Sequence, residues 1–243
     1  MSALGQMLEL RGLPTVVIGL VRLHMEKIAP PRGLWTPFQL GRPLGEPGDR
    51  AFQHRVLMQA LALLERSDGP VILEDFPDDP PGWTDRPGWR PAMSLPAGDL
   101  PTNRAQWNAA LIAEFALVAP HWARARARFG RTSVGLSALP SDAWPEFMTG
   151  FLDGHQPAPH PPHVPTPALA LRFAVDDLKA YYTEAVQAVG DAPASRQIDA
   201  WFWGETQAGR FLQTLRRHAM QSDVDALKAV GSRFFVPAAW VAK

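Results

Sequence analysis

Gly12-Leu-Pro-Thr-Val-Val-Ile-Gly-Leu-Val21 and Gly69-Pro-Val-Ile-Leu-Glu-Asp-Phe76 are the two stretches that decide the fold class. Each is a short apolar run, rich in β-branched residues and opened by Gly and Pro, which is typical of a strand buried on both faces. They predict strands over 15–21 and 71–76. Between them, residues 49–66 keep the apolar spacing of a helix, with Asp49 as a candidate N-cap. The order strand, helix, strand predicts an α/β fold with a small parallel βαβ unit, part of a Rossmann-like sheet.

Proline content and helical periodicity divide the rest of the chain. We expect an α/β unit over residues 1–80, opened by a helix over 3–10, then a proline-rich linker or wrapping loop over 81–102, and a mainly helical region over 103–243. Helices are predicted over 103–129, 143–151, 175–189, 195–220 and 223–230, and residues 132–136 give a weak strand signal. Because two parallel strands cannot bury their faces or pair their edges, the pattern also predicts that strands are missing on the N-terminal side.

Composition narrows the classes of partner and chemistry. With 24 basic and 24 acidic residues in 243, the formal net charge is zero, which disfavours nucleic acid or an anionic membrane surface as partners. The basic stretch of Arg124, Arg126, Arg128 and Arg131 is interpreted as a solvated helix face. No apolar run is long enough to span a bilayer and no secretion signal is present, so we expect a cytoplasmic protein.

The chain contains no Cys, so it has no thiol with which to carry electrons. It also lacks the glycine-rich, Gly-x-Ser-x-Gly and His-Glu-x-x-His motifs of common enzyme classes. We therefore expect no bound cofactor, and any electron chemistry must come from a partner.

The segment Pro30–Gly45 is the strongest candidate for ligand binding. It follows a predicted strand, and in open α/β sheets ligands bind beyond the carboxyl ends of the strands. Arg32 and Arg42 offer forked donors for a carboxylate or phosphate. Trp35 lies in the same segment, and Trp83 and Trp89 lie in the next loop, where aromatic faces could hold an ammonium group. The alternative is a rigid connection whose arginines pair with Glu26, Glu46 or Asp49.

Two carboxylates, Glu74 and Asp75, close the second predicted strand and are candidates for proton transfer. Neighbouring residues on a strand point to opposite faces, so only one of them can enter a given crevice. A carboxylate that caps a helix or pairs with Arg32 or Arg42 is at least as good an interpretation. His24 forms a His-x-Glu pattern without the cysteines of a zinc deaminase, and we expect it on a helix near the crevice.

A histidine tract, His155, His160 and His163, gives a third and weaker hypothesis, a metal site. The tract is proline-rich and offers no thiol ligand and little support to orient the imidazoles. An exposed loop is the favoured interpretation, and we expect no metal.

The runs Gly12–Leu20, Glu26–Arg32, Pro37-Phe-Gln-Leu-Gly-Arg-Pro-Leu-Gly45 and Asp75-Phe-Pro77 resemble the C-terminal portion of the selenoprotein B family of glycine, sarcosine, betaine and D-proline reductases. The similarity covers roughly residues 3–80, about a third of the chain, and the run over 37–45 is its most specific part. The resemblance implies reductive cleavage of a substrate C–N bond by a selenocysteine or cysteine that lies just upstream of the helix matching residues 3–10. This sequence begins at that helix and lacks the Cys- or Sec-bearing half.

Two functions follow as expectations. The first is a reductase component that relies on a Cys- or Sec-containing partner chain or a thioredoxin-like reductant. Arg32 and Arg42 would hold the carboxylate of a small carboxylate or amine ligand, and Glu74 or Asp75 would orient them or move a proton. The second is a non-catalytic binding or assembly protein that keeps the substrate crevice.

Overall fold

A computed structural model describes residues 2–38, 42–45, 48–79, 85–96, 98–154, 156–159, 161–190 and 193–241. The chain divides into two compact units, Met1–Asp85 and Arg86–Lys243. The first carries three strands and three helices and is called the α/β unit. The second carries helices and is called the helical unit. The small parallel sheet followed by a helical region is the α/β fold class that the sequence predicts.

The α/β unit alternates helices and strands along the chain. In order its elements are α1 (Ser2–Glu9), β1 (Val17–Gly19), α2 (Arg22–Ile28), β2 (Arg32–Trp35), α3 (Arg50–Ala62) and β3 (Ile72–Asp75), with a 3₁₀ turn at Leu63–Glu65 after α3. Asp49 caps α3 by accepting a hydrogen bond from the Phe52 backbone N–H at 3.0 Å, as its position in the sequence predicts.

The sheet is parallel and has the order β1-β2-β3. Val17 is opposite Gly33, Gly33 is opposite Leu73, and the register ends with Gly19, Trp35 and Asp75 side by side. All three carboxyl ends therefore meet at one edge of the sheet and all three amino ends at the other. Among the described residues, β1 and β3 each have one strand neighbour only.

Helices cover both faces of this sheet. On one face α3 contributes Phe52, Val56 and Ala60 to a core that includes Leu34 of β2, which is completely buried. The rings of Phe38, Phe52 and Phe76 pack there with centroids 5.5–5.7 Å apart. This aromatic contact lies just beyond the carboxyl ends of β2 and β3.

The opposite face is covered by α1 and α2. Met25 of α2 is buried and fills the space above Gly19 and Gly33, so that a Cβ at Gly33 would lie 2.6 Å from the Met25 Cε. Gly5 of α1 similarly packs against Val17. Glycine is needed on β1 and β2 because a helix side chain occupies the position that their own side chains would take.

The middle strand is the main difference from the sequence-based expectation. Residues 32–35 were interpreted as part of a loop, because prolines 30, 31 and 37 and Gly33 crowd this segment. Arg32–Trp35 nevertheless pairs with a strand on each side. Its strand conformation comes from that pairing and from burial of Leu34, since local propensity gives it little support.

The helical unit contains six α-helices among its described residues. They are α4 (Arg104–Phe129), α5 (Trp144–Thr149), α6 (Pro167–Val186), α7 (Ser195–Glu205), α8 (Gln207–Gln221) and α9 (Asp225–Val230), with 3₁₀ turns at Gly150–Asp153 and Ala238–Trp240 and a π-helical turn at Gly231–Phe235. α4 and α6 pack against each other at the centre. The most buried large side chains are Trp107, Trp144, Tyr181, Tyr182, Phe211 and Phe235.

The segment around Met93, which lies outside the helices, is also part of this unit. Met93 is buried in the helical core, and Trp89 and Leu95 pack against it, so this part of the proline-rich segment lies on the helices. Trp83 lies outside the described residues. The arginines near the end of α4 are exposed, with Arg126 stacked 4.8 Å from the Trp122 ring and Arg128 donating to the Gly190 carbonyl at 2.8 Å.

Residues 132–136 form a loop, so the weak strand signal there is wrong. Asp177 of α6 is fully buried and accepts hydrogen bonds from the backbone N–H groups of Gly135, Leu136 and Ser137 at 2.8–2.9 Å. The Ser137 hydroxyl donates to the same carboxylate at 2.6 Å. Because the carboxylate satisfies these backbone donors, the segment needs no neighbouring strand.

The predicted helix over 195–220 is interrupted at Thr206. The Thr206 hydroxyl donates to the Phe202 carbonyl at 2.7 Å and accepts from the Gly209 N–H at 2.9 Å, so it ends α7 and caps α8. Within the described residues, no helix combines the length and the apolar character needed to cross a bilayer.

Asp177 and its neighbour Asp176 allow a matched test of the buried carboxylate. We expect Asp177→Asn to lower the free energy of unfolding of the helical unit by about 2–4 kcal/mol, because it leaves buried N–H donors without acceptors. Asp176→Asn removes only partly exposed pairs with Arg172 and Lys179 and should cost less than about 1 kcal/mol. Urea unfolding followed by far-ultraviolet circular dichroism measures both, and equal losses would contradict this role for Asp177.

Candidate functional site

Strand alternation separates the predicted site residues into two groups. Arg32 and Glu74 share a face of the sheet with Leu34, whereas Trp35 and Asp75 share the opposite face. Arg32 opens β2 and Trp35 ends it, so the two lie about 10 Å apart along the strand. The structure therefore does not gather Arg32, Trp35, Glu74 and Asp75 around one point.

The carboxyl-edge cluster consists of Arg22, Trp35 and Asp75. The Arg22 Nε lies 3.2 Å from both carboxylate oxygens of Asp75, and its guanidinium carbon lies 5.9 Å from the centroid of the Trp35 ring. Arg22 also pairs with Glu26 one turn further along α2. The cluster joins a carboxylate, a guanidinium and an indole at the edge where open α/β sheets bind ligands.

Side chains of the carboxyl-edge cluster are open to solvent. Arg22 and Asp75 are 44% and 46% exposed, and Trp35 is half-buried, with its indole N–H 3.4 Å from the Leu20 carbonyl. An ion pair this exposed adds little stability. Its partners can therefore exchange for a ligand at small cost.

Two further predicted residues, His24 and Arg42, lie in the segments that follow β1 and β2. His24 is exposed on α2, as expected for a helix residue, and Arg42 is exposed in the segment that follows β2. Residues 39–41 and 46–47 of that segment lie outside the described residues. The chain then enters α3 at Asp49.

Glu74 pairs with an arginine that the sequence analysis did not single out. Arg66, just after α3, donates to Glu74 and to Asp68, with its Nε 2.6 Å from an Asp68 oxygen. Hydrogen bonding from Arg66 lowers the pKa of Asp68 to about 2. Glu74 is thus one of two acceptors of a shared guanidinium.

Arg32 pairs with Glu9, the last residue of α1. Glu9 Oε1 accepts from Arg32 and from the Thr15 backbone N–H, the latter at 2.6 Å, and both side chains are about four-fifths buried. The Thr15 N–H is the largest cause, ahead of Arg32, of the lowered pKa of Glu9, and burial opposes it. Arg32, predicted to donate to a ligand, therefore donates to a carboxylate of its own chain with part of its guanidinium.

A cavity of about 460 Å³ lies beside this pair and is called the amino-edge cavity. It is lined by Gln6, Glu9, Leu10, Ala29, Pro31, Arg32 and Gly69, Pro70, Val71 and Ile72. Arg32 and Ile72 are register partners and the first residues of β2 and β3. The cavity therefore opens at the amino ends of the strands, opposite the carboxyl-edge cluster.

Sequence reasoning missed Glu9, Arg22 and Arg66. Glu9 and Arg22 pair with residues distant in the chain, whereas the two partners of Arg66 lie two and eight residues away. Arg22 is 53 residues from Asp75, and Glu9 is 23 residues from Arg32. One signal was present for Arg22, since Arg22 and Glu26 have the four-residue spacing of a helical ion pair. That spacing would have predicted α2.

No group of three His, Cys, Asp or Glu side chains with the geometry of a metal site occurs among the described residues. His163 is exposed, while His155 and His160 lie outside the described residues. Trp89 was predicted, with Trp35 and Trp83, to form an aromatic wall. It packs on the helical core.

Comparison of this chain with protein-family models, with curated proteins and with solved structures finds no match in any of the three.

The lowered pKa of Glu9 predicts a pH-dependent contribution to stability. A carboxylate with a folded-state pKa below its ordinary value of 4.5 stabilises the fold above that pH, and the contribution is lost as the pH falls through the lowered pKa. We expect wild type to be more stable than Glu9→Gln near neutral pH, with the difference shrinking below about pH 4.5. Urea unfolding across this range measures it. Glu65→Gln, the same substitution at an exposed carboxylate, is the matched control, and an equal pH trend in both variants would contradict the role of Glu9.

Proposed function

We propose that this chain is the substrate-holding component of a reductase that cleaves the C–N bond of a small amino-acid-like substrate, such as glycine, sarcosine or betaine. A separate Cys- or Sec-containing chain would supply the redox-active residue, because this sequence contains no Cys. The proposal extends the resemblance of residues 3–80 to the selenoprotein B family.

The observation that carries the proposal is the convergence of the resembling segments. The chain leaves β1 at Leu20, β2 at Thr36 and β3 at Phe76, and all three exits lie at the carboxyl edge of the sheet. The Thr36 N–H donates to the Gly19 carbonyl at 3.0 Å, and the Phe76 N–H donates to the Trp35 carbonyl at 2.8 Å. Segments that are far apart in the sequence thus begin side by side, at the usual ligand position of an open α/β sheet.

The residues at this edge suit a zwitterionic substrate. Arg42 would bind the substrate carboxylate through its forked N–H groups. The face of Trp35 would hold a substituted ammonium group, and it already lies near the Arg22 guanidinium. Asp75, held by Arg22, would orient the ammonium or exchange a proton with the leaving amine.

The electrons would come from the partner. One dithiol oxidised to a disulfide supplies two electrons and two protons, which is what replacement of one C–N bond by a C–H bond requires. The carbon takes up the two electrons and one proton, and the amine leaves with the electron pair of the broken bond and can take up the other proton. We place this reaction in the cytoplasm, where thioredoxin-like dithiols stay reduced. The roles of this chain would be binding, orientation and proton transfer.

A second function, ligand binding without chemistry, is favoured by the ion pairs. Three of the predicted ionic residues are already engaged: Arg32 with Glu9, Glu74 with Arg66 and Asp75 with Arg22. A carboxylate held by an arginine is a weaker base than a free one. A binding or assembly protein that keeps the crevice would have this arrangement.

Reconstitution with a partner separates the two functions. The chain is mixed with the Cys- or Sec-containing product of a neighbouring reading frame, dithiothreitol, and glycine, sarcosine or betaine in turn. We expect a stable complex, amine release, and oxidation of one dithiothreitol per amine. The matched controls are the partner alone and the complex whose partner has Ser in place of its Cys or Sec. Binding of betaine without amine release would support the second function and contradict the first.

Arg42 gives a test that needs no partner. We expect Arg42→Ala to weaken betaine binding by about 1.5–3 kcal/mol, or roughly 10- to 150-fold in Kd, because a charged hydrogen bond to the carboxylate is lost. Isothermal titration calorimetry measures the affinity. Arg11→Ala, an exposed arginine in the turn that follows α1, should leave it unchanged. Equal affinities of wild type and Arg42→Ala would remove Arg42 from the site.

A further inference from the structure

We propose that the amino-edge cavity is a second binding site, for a small uncharged molecule with an apolar body and a primary carboxamide-type head. It lies at the opposite edge of the sheet from the carboxyl-edge cluster, so the inference does not rest on the proposed reductase function. Its volume of about 460 Å³ lies in the range of small-molecule pockets. The chemistry of its ligand follows from the hydrogen-bonding groups of the lining that have no partner within the described chain.

Two acceptor oxygens of the lining are unused. Gln6 donates its amide N–H groups to the Ile28 and Ala29 carbonyls at 2.6 and 3.0 Å, which fixes the amide and leaves its Oε1 without a donor among the described residues. Glu9 accepts both of its hydrogen bonds at Oε1, and its Oε2 likewise has no donor within the described chain. A ligand that offers two N–H donors satisfies both oxygens.

Arg32 supplies the complementary donors. A guanidinium has five N–H groups. In Arg32 one is donated to Glu9 and one, at 3.4 Å, to the Arg66 carbonyl. The cavity lining includes Arg32, so a ligand carbonyl could accept from it. Two acceptors together with a donor are the hydrogen-bonding complement of a primary carboxamide, which presents two N–H donors and one carbonyl.

Charge argues for an uncharged ligand. Among the described residues of the lining, Glu9 and Arg32 are the only formally charged ones, and they are paired with each other. The lowered pKa keeps Glu9 ionised at neutral pH. A carboxylate ligand would meet Glu9 and an ammonium ligand would meet Arg32, so either would lose its hydration without a net gain in charge pairing.

The remaining walls are apolar and open to solvent. Leu10 is 87% exposed and Val71 51% exposed, and Pro70 is also exposed. Pro31 is half-buried and Ile72 is buried. An aliphatic body placed against them removes apolar surface from water on both sides. An alkyl carboxamide therefore matches the cavity at both its polar and its apolar ends.

Four probes of one shape test the assignment: hexanamide, hexanoate, hexylammonium and methyl hexanoate. They share a six-carbon chain and differ in charge and in N–H donors. Chemical-shift changes in the protein NMR spectrum measure binding. We expect hexanamide to bind at least about tenfold more tightly than each of the others. Hexanoate and methyl hexanoate lack the N–H donors, and hexylammonium lacks the carbonyl and carries a charge that must be desolvated. No change at about 10 mM hexanamide, or equal affinity for the four probes, would overturn the proposal.

A filled cavity gives the matched control. Val71→Trp places a large side chain in the cavity at a position that is half exposed, so the fold should tolerate it. We expect at least about tenfold weaker hexanamide binding in this variant. Leu61→Trp introduces the same side chain at a 50% exposed position on α3 and should leave binding unchanged. Gln6→Met keeps the volume and removes the amide acceptor, and it should weaken hexanamide selectively. Unchanged binding in Val71→Trp would place the ligand elsewhere and refute the site.

Discussion

Backbone pairing of Arg32–Trp35 with a strand on each side is the constraint on which the α/β unit depends. Within the described part of the chain, β1 and β3 each pair with β2 and not with each other, so β2 joins them into one sheet. Its side chains reflect this position. Leu34 is completely buried under α3, and Gly33 leaves room on the other face for Met25. A strand of only four residues is stable here because both of its edges and both of its faces are occupied.

The same strand determines how charge is distributed over the unit. Residues at its amino end face α1 and the loop before β3, while residues at its carboxyl end face α2 and the segment that leads to α3. Arg32 therefore meets Glu9, and Trp35 meets Arg22. Two chemically different environments arise at the two ends of one short strand. One combines an exposed ion pair with an indole, and the other places a largely buried ion pair beside an open, mainly apolar cavity.

Local patterns in the sequence predict much of this fold, and the errors have physical causes. The βαβ order, the Asp49 cap and the long helix α4 follow from periodicity and capping, which act within a few residues. β2 could not be predicted in this way, because its support comes from residues 16 positions before and 40 after it. The placement of Glu74 and Asp75 on opposite faces was predictable, since alternation is a property of the strand itself. Their partners Arg66 and Arg22 were not, since each contact depends on tertiary structure.

Among buried acids, use of both carboxylate oxygens by the same chain marks a structural role. In the helical unit, Glu114 is buried and accepts from the Tyr182 hydroxyl at 2.6 Å and from the Gln207 and Ala208 N–H groups at 2.7 and 3.0 Å. Burial raises the pKa of Glu114, and these hydrogen bonds oppose the rise. Both of its oxygens are used to hold the first turn of α8.

Asp177 uses both of its oxygens in the same way, on the loop over 135–137. Glu9 differs from these two acids, because one oxygen takes both of its bonds and the other has no donor among the described residues. A half-used, ionised carboxylate beside a cavity retains the capacity to bind, whereas a deeply buried and fully used one does not. By this criterion, ligand recognition is expected in the α/β unit, and the buried acids of the helical unit serve its stability.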